Sequence, residues 1–242
     1  MNARDTILAR IREALRTPAP PPHLKSYDAK AATAAAESGG HPGLTVLPLE
    51  LATPWLPDGG ESPDEQMQLL VENLEKLRAI VVPVPNEHAA AEYLVGLARD
   101  RGWKCVAYHS HPLLTPLLAA VPCTTYRVDA TDCDKRALEV CDAGITTCEA
   151  LVSQTGSILV SSATSGGRGL SILPHVHVVV ATLDQIVPTL GDALHQAKER
   201  HAGRLPSMLS FITGPSRTGD IERILVLGAH GPKELFVILV TG

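Results

Sequence analysis

The densest run of chemistry-bearing side chains is Gly214-Pro215-Ser216-Arg217-Thr218-Gly219-Asp220-Ile221-Glu222, between two segments that read as strands. Hairpin loops usually take two to five residues and favour Asn-Gly or Gly-x. This longer connection sets one arginine, the hydroxyls of Ser216 and Thr218 and the carboxylates of Asp220 and Glu222 beside flexible glycines. A guanidinium offers a planar fork to a carboxylate or phosphate, and hydroxyls with free backbone N–H groups complete an anion cradle. The competing reading is a structural connector in which Thr218 or Asp220 caps a helical turn and Arg217 pairs with Glu222. Acid–base candidates here are Glu222 and His230, in Gly228-Ala229-His230-Gly231-Pro232. A turn histidine can equally serve only to hydrogen-bond backbone.

A second polar region is Gln154-Thr155-Gly156-Ser157, followed by Ser161-Ser162 and Ser165-Gly166-Gly167-Arg168-Gly169. Gly156 at a strand entry lets backbone approach a ligand closely. The glycine loop matches neither G-x-G-x-x-G nor the phosphate-loop pattern, so neither NAD nor ATP follows from it, and it also reads as a surface turn. The two regions together suggest an anion-binding cleft lined by Gln154, Thr155, Gly156, Ser157, Arg168, Gly214, Ser216, Arg217, Thr218 and Asp220.

His175-x-His177 places two imidazoles on one face of a strand. Two ligands fall short of a metal site, and Asp129, Asp132 or Glu149 would complete one only if the fold happened to bring it near; no metal is expected. His109-x-His111 reads as a capping or solvent pair. No G-x-S-x-G elbow is present, and Cys105, Cys123, Cys133, Cys141 and Cys148 contain no C-x-x-C. Their apolar and helical surroundings predict buried, inert thiols.

These residues need a scaffold, and the periodicity supplies one. Residues 3–16 form an amphipathic stripe (Ile7, Leu8, Ile11, Leu15), an N-terminal helix assigned to residues 1–16. Nine of the chain's 19 prolines then fall between Thr17 and Pro63, so residues 17–61 read as an extended arm or linker. The tethered helix docks on its own domain, on a symmetry mate in a homo-oligomer, or in a partner's groove. The compact domain spans 62–242. It opens with a capping box at Ser62-Pro63-Asp64-Glu65, followed by Met67, Leu70, Val71, Leu74 and Leu77 at helical spacing. Strands are predicted at 79–84 and 104–108, with a helix from Asn86 to Arg101 stopped at Gly102, and a short helix from Pro112. Fully apolar strands alternating with helices signal a parallel sheet covered on both faces. Later strands at 157–161, 175–181, 208–213, 223–227 and 235–240, with one helix at 188–200, predict antiparallel additions to one mixed, largely parallel sheet.

The 242 residues suit one large α/β domain with an appendage, and a net charge of −5 argues against non-specific nucleic-acid binding. No apolar run approaches the roughly 18–20 residues of a membrane span, and the N-terminus lacks the apolar core of a secretory signal. A cytoplasmic protein is expected.

Specific stretches resemble a known family. Ala143-Gly144-Ile145-Thr146, Gln154-Thr155-Gly156-Ser157, Arg168-Gly169-Leu170-Ser171-Ile172-Leu173-Pro174, His177 and Gln185-Ile186-Val187-Pro188 are similar to the LUD-domain family. The stretches at 214–222 and Val226-Leu227-Gly228-Ala229-His230-Gly231-Pro232 resemble its lactate utilisation protein C group. The resemblance covers residues 62–242. It implies a fold similar to the NagB/RpiA/CoA-transferase group, and a role beside iron–sulfur partner proteins in oxidising L-lactate to pyruvate. The clusters are expected in those partners, with no cofactor in this chain. The chain is then a component of an oxidising complex rather than a complete enzyme. The alternatives are a non-catalytic assembly or regulatory factor, or, by fold analogy alone, a transferase or isomerase acting on a phosphosugar or CoA thioester. The family commonly has Glu-Thr-Gly where this chain has Gln154-Thr155-Gly156, and an amide there hydrogen-bonds without acting as a base.

Overall fold

The computed structural model describes residues 57–128, 134–219, 225–228 and 230–242. The predicted N-terminal helix, most of the arm, and Asp129, Asp132, Cys133, Asp220 and Glu222 lie outside the described residues.

Helix α1 (Pro63–Lys76) begins where the sequence predicts, with Ser62 Oγ accepting from the Glu65 N–H at 3.3 Å. Glu65 departs from the full capping box, because its carboxylate accepts from the N–H of Glu61 instead of Ser62. After β1 (Ile80–Val84), Asn86 caps α2 (Glu87–Asp100) by accepting from the Ala89 N–H at 2.9 Å. Gly102 stops that helix at φ +62°, a conformation glycine adopts without steric penalty.

Strand β2 (Cys105–His109) leads to a short α3 (Leu114–Leu118), two residues later than the helix predicted from Pro112. Four elements follow that apolar pattern alone did not pick out: β3 (Thr124–Val128), α4 (Lys135–Glu139), β4 (Ala143–Thr146) and β5 (Ala150–Val152). They are short, and Gly144, Thr124, Thr125 and Arg127 interrupt the apolar runs used to find strands. Next come β6 (Ser157–Ser161), β7 (Val176–Thr182), β8 (Ile186–Val187), α5 (Leu190–Arg200) and β9 (Leu209–Ile212). The chain finishes with β10 (Arg217–Gly219), β11 (Leu225–Leu227) and β12 (Glu234–Val240).

The strands form a largely parallel sheet flanked by helices, as expected, but the antiparallel pairs do not extend that sheet. Six strands in the order β1-β12-β7-β4-β2-β3 pair entirely in parallel. A separate four-stranded sheet, β8-β5-β6-β9, holds two antiparallel pairs, and β10–β11 is an isolated antiparallel ribbon. Period-two alternation explains the layering. Val176, Val178, Val180, Phe236 and Ile238 pack against α2 and α3 on one face. Val179, Ala181, Val237 and Leu239 pack against α1 and the second sheet on the other. Helix α5 covers the second sheet's outer face through Ala193 and Ala197.

This layering creates a crevice. The chain leaves β2 toward the α2/α3 face but leaves the adjacent β4 toward the second sheet. Neighbouring parallel strands whose connections diverge to opposite faces open a cleft beyond their carboxyl ends, the usual ligand position in such sheets.

Candidate functional site

Beyond the carboxyl ends of β2, β4 and β7 lies a cleft of about 480 Å³, lined by His111, Thr147, Glu149, Thr164, Asp184 and Arg200 among others. Its back wall is built around Glu149, only 1% exposed. The Glu149 carboxylate accepts from Thr164 Oγ1 at 2.5 Å, from His201 Nε2 at 2.9 Å, and from Arg200 Nη1. Burial pushes its pKa up, but the hydrogen bonds from Ser161, Thr164, Arg200 and His201 outweigh it and hold the carboxyl near 2. Glu149 is therefore a fixed anion and a very weak base at neutral pH.

Arg200 uses Nη1 for both its bonds to Glu149, one to the carboxylate and one to the backbone carbonyl at 2.9 Å. Its side chain is 43% exposed, and the rest of its guanidinium has no partner among the described residues. That edge can receive one carboxylate from the cleft.

Burial favours the neutral form of two histidines here, His109 and His111. His109 Nε2 accepts from the Thr147 N–H at 3.1 Å, which leaves the ring proton on Nδ1. Burial, then the charge of His111, pushes its pKa down to about 4. His111 Nδ1 accepts from the Leu113 N–H at 3.2 Å, so its proton sits on Nε2 as a donor, and burial lowers its pKa as well. The reading as a capping or solvent pair does not fit His109, which is 5% exposed beneath the cleft, while His111 bonds the N–H of Leu113 just ahead of α3. Cys148 lines the cleft but is buried, and burial raises its pKa far above the ordinary thiol value. Among the described lining residues, Glu149 is committed to its partners and Cys148 is buried, whereas the Glu87 and Asp184 carboxylates are exposed.

The glycine loop closes this region, and its backbone is packed rather than lying free as a surface turn. Gly166 has φ +72°, and a Cβ there would come within 2.8 Å of His109 Cβ and 2.6 Å of Leu170 Cδ2. Ser165 Oγ donates to the Thr147 carbonyl at 3.2 Å. Gly144 admits the following segment against β4, because a Cβ would sit 2.3 Å from the Leu170 carbonyl oxygen.

The residues singled out as anion ligands lie elsewhere. Gln154 Nε2 donates to the Pro57 carbonyl at 2.8 Å, and its buried Oε1 has no partner. Asn73 of α1 donates to the Ser153 carbonyl at 2.8 Å, and a Cβ on Gly156 would collide with Asn73 at 2.9 Å. Thr155 Oγ1 and Ser157 Oγ are 2.8 Å apart, and Ser157 is 2.8 Å from Thr213 Oγ1. Ser157 thus reaches Thr213, just before the second stretch, while Gly156 and Gly214 each pack against the end of α1. Arg168 stands at the other end of the β6–β9 pair, about 13 Å of strand away. Its Nη2 donates to the Ser207 carbonyl at 2.8 Å.

Gly214 packs at φ +94° against Leu77, at the end of α1. The His230 N–H reaches Ser216 Oγ at 3.4 Å, Ser216 N donates to the Pro232 carbonyl at 2.8 Å, and Arg217 is exposed. Thr218 lies in β10. Because Lys233 N donates to the carbonyl of His175 just before β7, this cluster marks the amino edge of the six-stranded sheet. It lies opposite the cleft. His175 precedes β7 and is exposed, whereas His177 is 1% exposed, with Nε2 2.8 Å from Thr146 Oγ1 and Nδ1 unpartnered. The pair does not converge. Among the described residues, no group of three or more His, Cys, Asp or Glu side chains is arranged to hold a metal ion.

Glu149, Arg200 and Thr164 were missed as a unit because 51 residues separate Glu149 from Arg200. The one available signal was a Glu inside an apolar stretch, Cys148-Glu149-Ala150-Leu151-Val152, which demands a buried partner.

Comparison with known proteins places these features in context. The LUD domain matches residues 67–240. Lactate utilization protein C of Geobacillus kaustophilus is 33% identical over 164 residues, 66% of this chain and 62% of that protein. The protein of the same name from Anoxybacillus flavithermus is 35% identical over 105 residues, 43% of this chain and 46% of its own length. That of Bacillus subtilis is 34% identical over 105 residues, 43% and 44%. The chain thus spans about half the length of several curated relatives it matches. A crystal structure of a DUF162 family protein from Deinococcus radiodurans aligns over 76% of this chain and all of its own, at a TM-score of 0.57 and 26% identity.

Proposed function

The chain belongs to the LUD domain family, and from that premise we propose that it is a subunit of an L-lactate utilisation system. In this reading it binds a small hydroxy or keto acid in the carboxyl-edge cleft, while iron–sulfur partner proteins carry the electrons. The observation that carries the reading is the half-paired Arg200 on the wall of this cleft, beside a buried Glu149 already committed to its partners. Such a site positions a carboxylate, and the electrons of lactate oxidation are left to the partner proteins. The free edge of Arg200 holds the carboxylate, and His111, whose Nε2–H is a donor, lines the same cleft. The names of the relatives support the substrate class. Among the described residues no helix is long and apolar enough to cross a membrane.

The test is lactate-dependent reduction of an artificial electron acceptor by the iron–sulfur partners, with and without this chain. Activity that requires the chain and is lost with Arg200→Gln supports the subunit reading. Partners that work equally well alone remove it.

A second reading, a non-catalytic assembly or regulatory factor, is favoured by the exposed Arg217 at the amino edge. It predicts that Arg217→Ala weakens complex formation while pyruvate binding stays unchanged.

A further inference from the structure

We infer that Cys105 and Cys141 form a reversible dithiol–disulfide site that reacts with low-molecular-weight disulfides of the glutathione class. Cys105 opens β2 and Cys141 ends the turn between α4 and β4, yet their Sγ atoms lie 2.9 Å apart. Backbone bonding enforces this proximity. Asp142 Oδ2 accepts from the N–H groups of Lys104 and Cys105 at 2.6 and 3.0 Å, and Asp142 N donates to the Cys105 carbonyl at 2.8 Å. The next residues continue in register as Val106 opposite Ala143. Forming an S–S bond of about 2.05 Å requires the sulfurs to close by less than about 1 Å, well within side-chain adjustment.

The two thiols have different access. Cys105 is half-buried and Cys141 is buried, so an external reagent meets Cys105 first. Cys141 Sγ donates to the Ala137 carbonyl at 3.2 Å, which aims its sulfur lone pairs toward Cys105. The Cys105 thiolate attacks the reagent disulfide RSSR, forming Cys105–S–SR and releasing RS⁻, which takes up the Cys105 proton as RSH. Cys141 then loses its proton, its sulfur attacks Cys105 Sγ, and a second RSH leaves. Two protein thiols lose two electrons and two protons in all, and RSSR becomes two RSH. Burial, followed by the hydrogen bond and charge of Cys105, pushes the Cys141 thiol up to about 12. Capping Cys105 as the mixed disulfide removes that hydrogen bond and charge while burial remains, and the 2.9 Å separation places Cys141 Sγ to attack in the second step.

Cys123 is the competing thiol. It is half-buried, and its pKa is raised first by burial and then by the nearby Cys105. The experiment equilibrates the full chain in oxidised and reduced glutathione, alkylates the remaining thiols and maps peptides without reduction. The expected result is a Cys105–Cys141 linkage, a melting temperature about 5 °C higher than the reduced form, and reversal by reductant. Cys123→Ser keeps the linkage and Cys105→Ser abolishes it. Full alkylation of Cys105 and Cys141 in oxidising buffer overturns the inference. So does a persistent glutathione adduct on Cys105, or a linkage from Cys105 to Cys123 or Cys133. Wild-type peptide mapping decides the question even if Cys105→Ser fails to fold.

Discussion

The two edges of the six-stranded sheet use polar residues in opposite ways. At the carboxyl edge, Glu149, His109 and Ser165 are buried and each is fixed by named partners. At the amino edge, Arg217, His230 and Lys233 are exposed, and the described contacts of Ser216 and His230 run mainly through backbone. The amino edge carries the more conspicuous sequence and the carboxyl edge the more constrained structure. A buried polar group must be satisfied at its own site, so it reports on a built cleft, whereas an exposed one is stable wherever water reaches it.

The contrast makes the carboxyl edge sensitive and the amino edge tolerant, and acid provides the largest expected separation. Burial keeps His109, at the carboxyl edge, neutral down to about 4, and His177, inside the sheet near the start of β7, neutral down to about 3. Unfolded histidines take up a proton near 6.5, so between pH 6.5 and 4 the unfolded state binds more protons and stability falls as acid is added. Glu149 extends the loss from its ordinary 4.5 down toward about 2, because its folded pKa is depressed. Urea unfolding should show a loss on the order of 4 kcal/mol between pH 7 and 4.5. His177→Gln should flatten the slope, and a flat wild-type profile would contradict these neutral, buried histidines.

Gly166→Ala should cost about 2–3 kcal/mol, since the new Cβ meets His109 at 2.8 Å in a positive-φ conformation. Thermal denaturation reads this directly, and an unchanged melting temperature would mean that the glycine loop does not press on β2. Arg200→Ala should cost about 1–2 kcal/mol: it leaves the buried Glu149 with Ser161, Thr164 and His201, but Arg200 itself is partly solvated. At the rim, the Asp184 carboxylate opposes anion binding, so Asp184→Asn should tighten pyruvate binding about two- to fivefold in low-salt calorimetry. No change there would place the anion elsewhere. The smallest effect is reserved for the amino edge, where Arg217→Ala should shift stability by less than about 0.5 kcal/mol.

Much of this fold was legible because local rules act over a few residues. Ser62, Asn86 and Gly102 mark helix ends at their predicted places, and the apolar runs at β1, β7 and β12 announce parallel strands. The division into two sheets was not legible, since an antiparallel strand looks the same whichever sheet it joins. The cleft was largely hidden for a similar reason. Glu149 and Arg200 are adjacent only after β5 and α5 pack, and Cys105 meets Cys141 only through the β2–β4 pairing. The loop at Gly214–Arg217 was easy to see because its residues are contiguous, but contiguity says nothing about which edge of the sheet receives it.

The claim that the carboxyl-edge cleft receives the acid is tested most directly by pyruvate binding to three proteins: wild type, Arg200→Gln and Arg217→Ala. Far-ultraviolet circular dichroism would confirm that each is folded. The cleft account predicts binding to wild type and Arg217→Ala, with at least a tenfold loss in Arg200→Gln. Retained binding in Arg200→Gln together with loss in Arg217→Ala would contradict it and move the anion site to the amino edge.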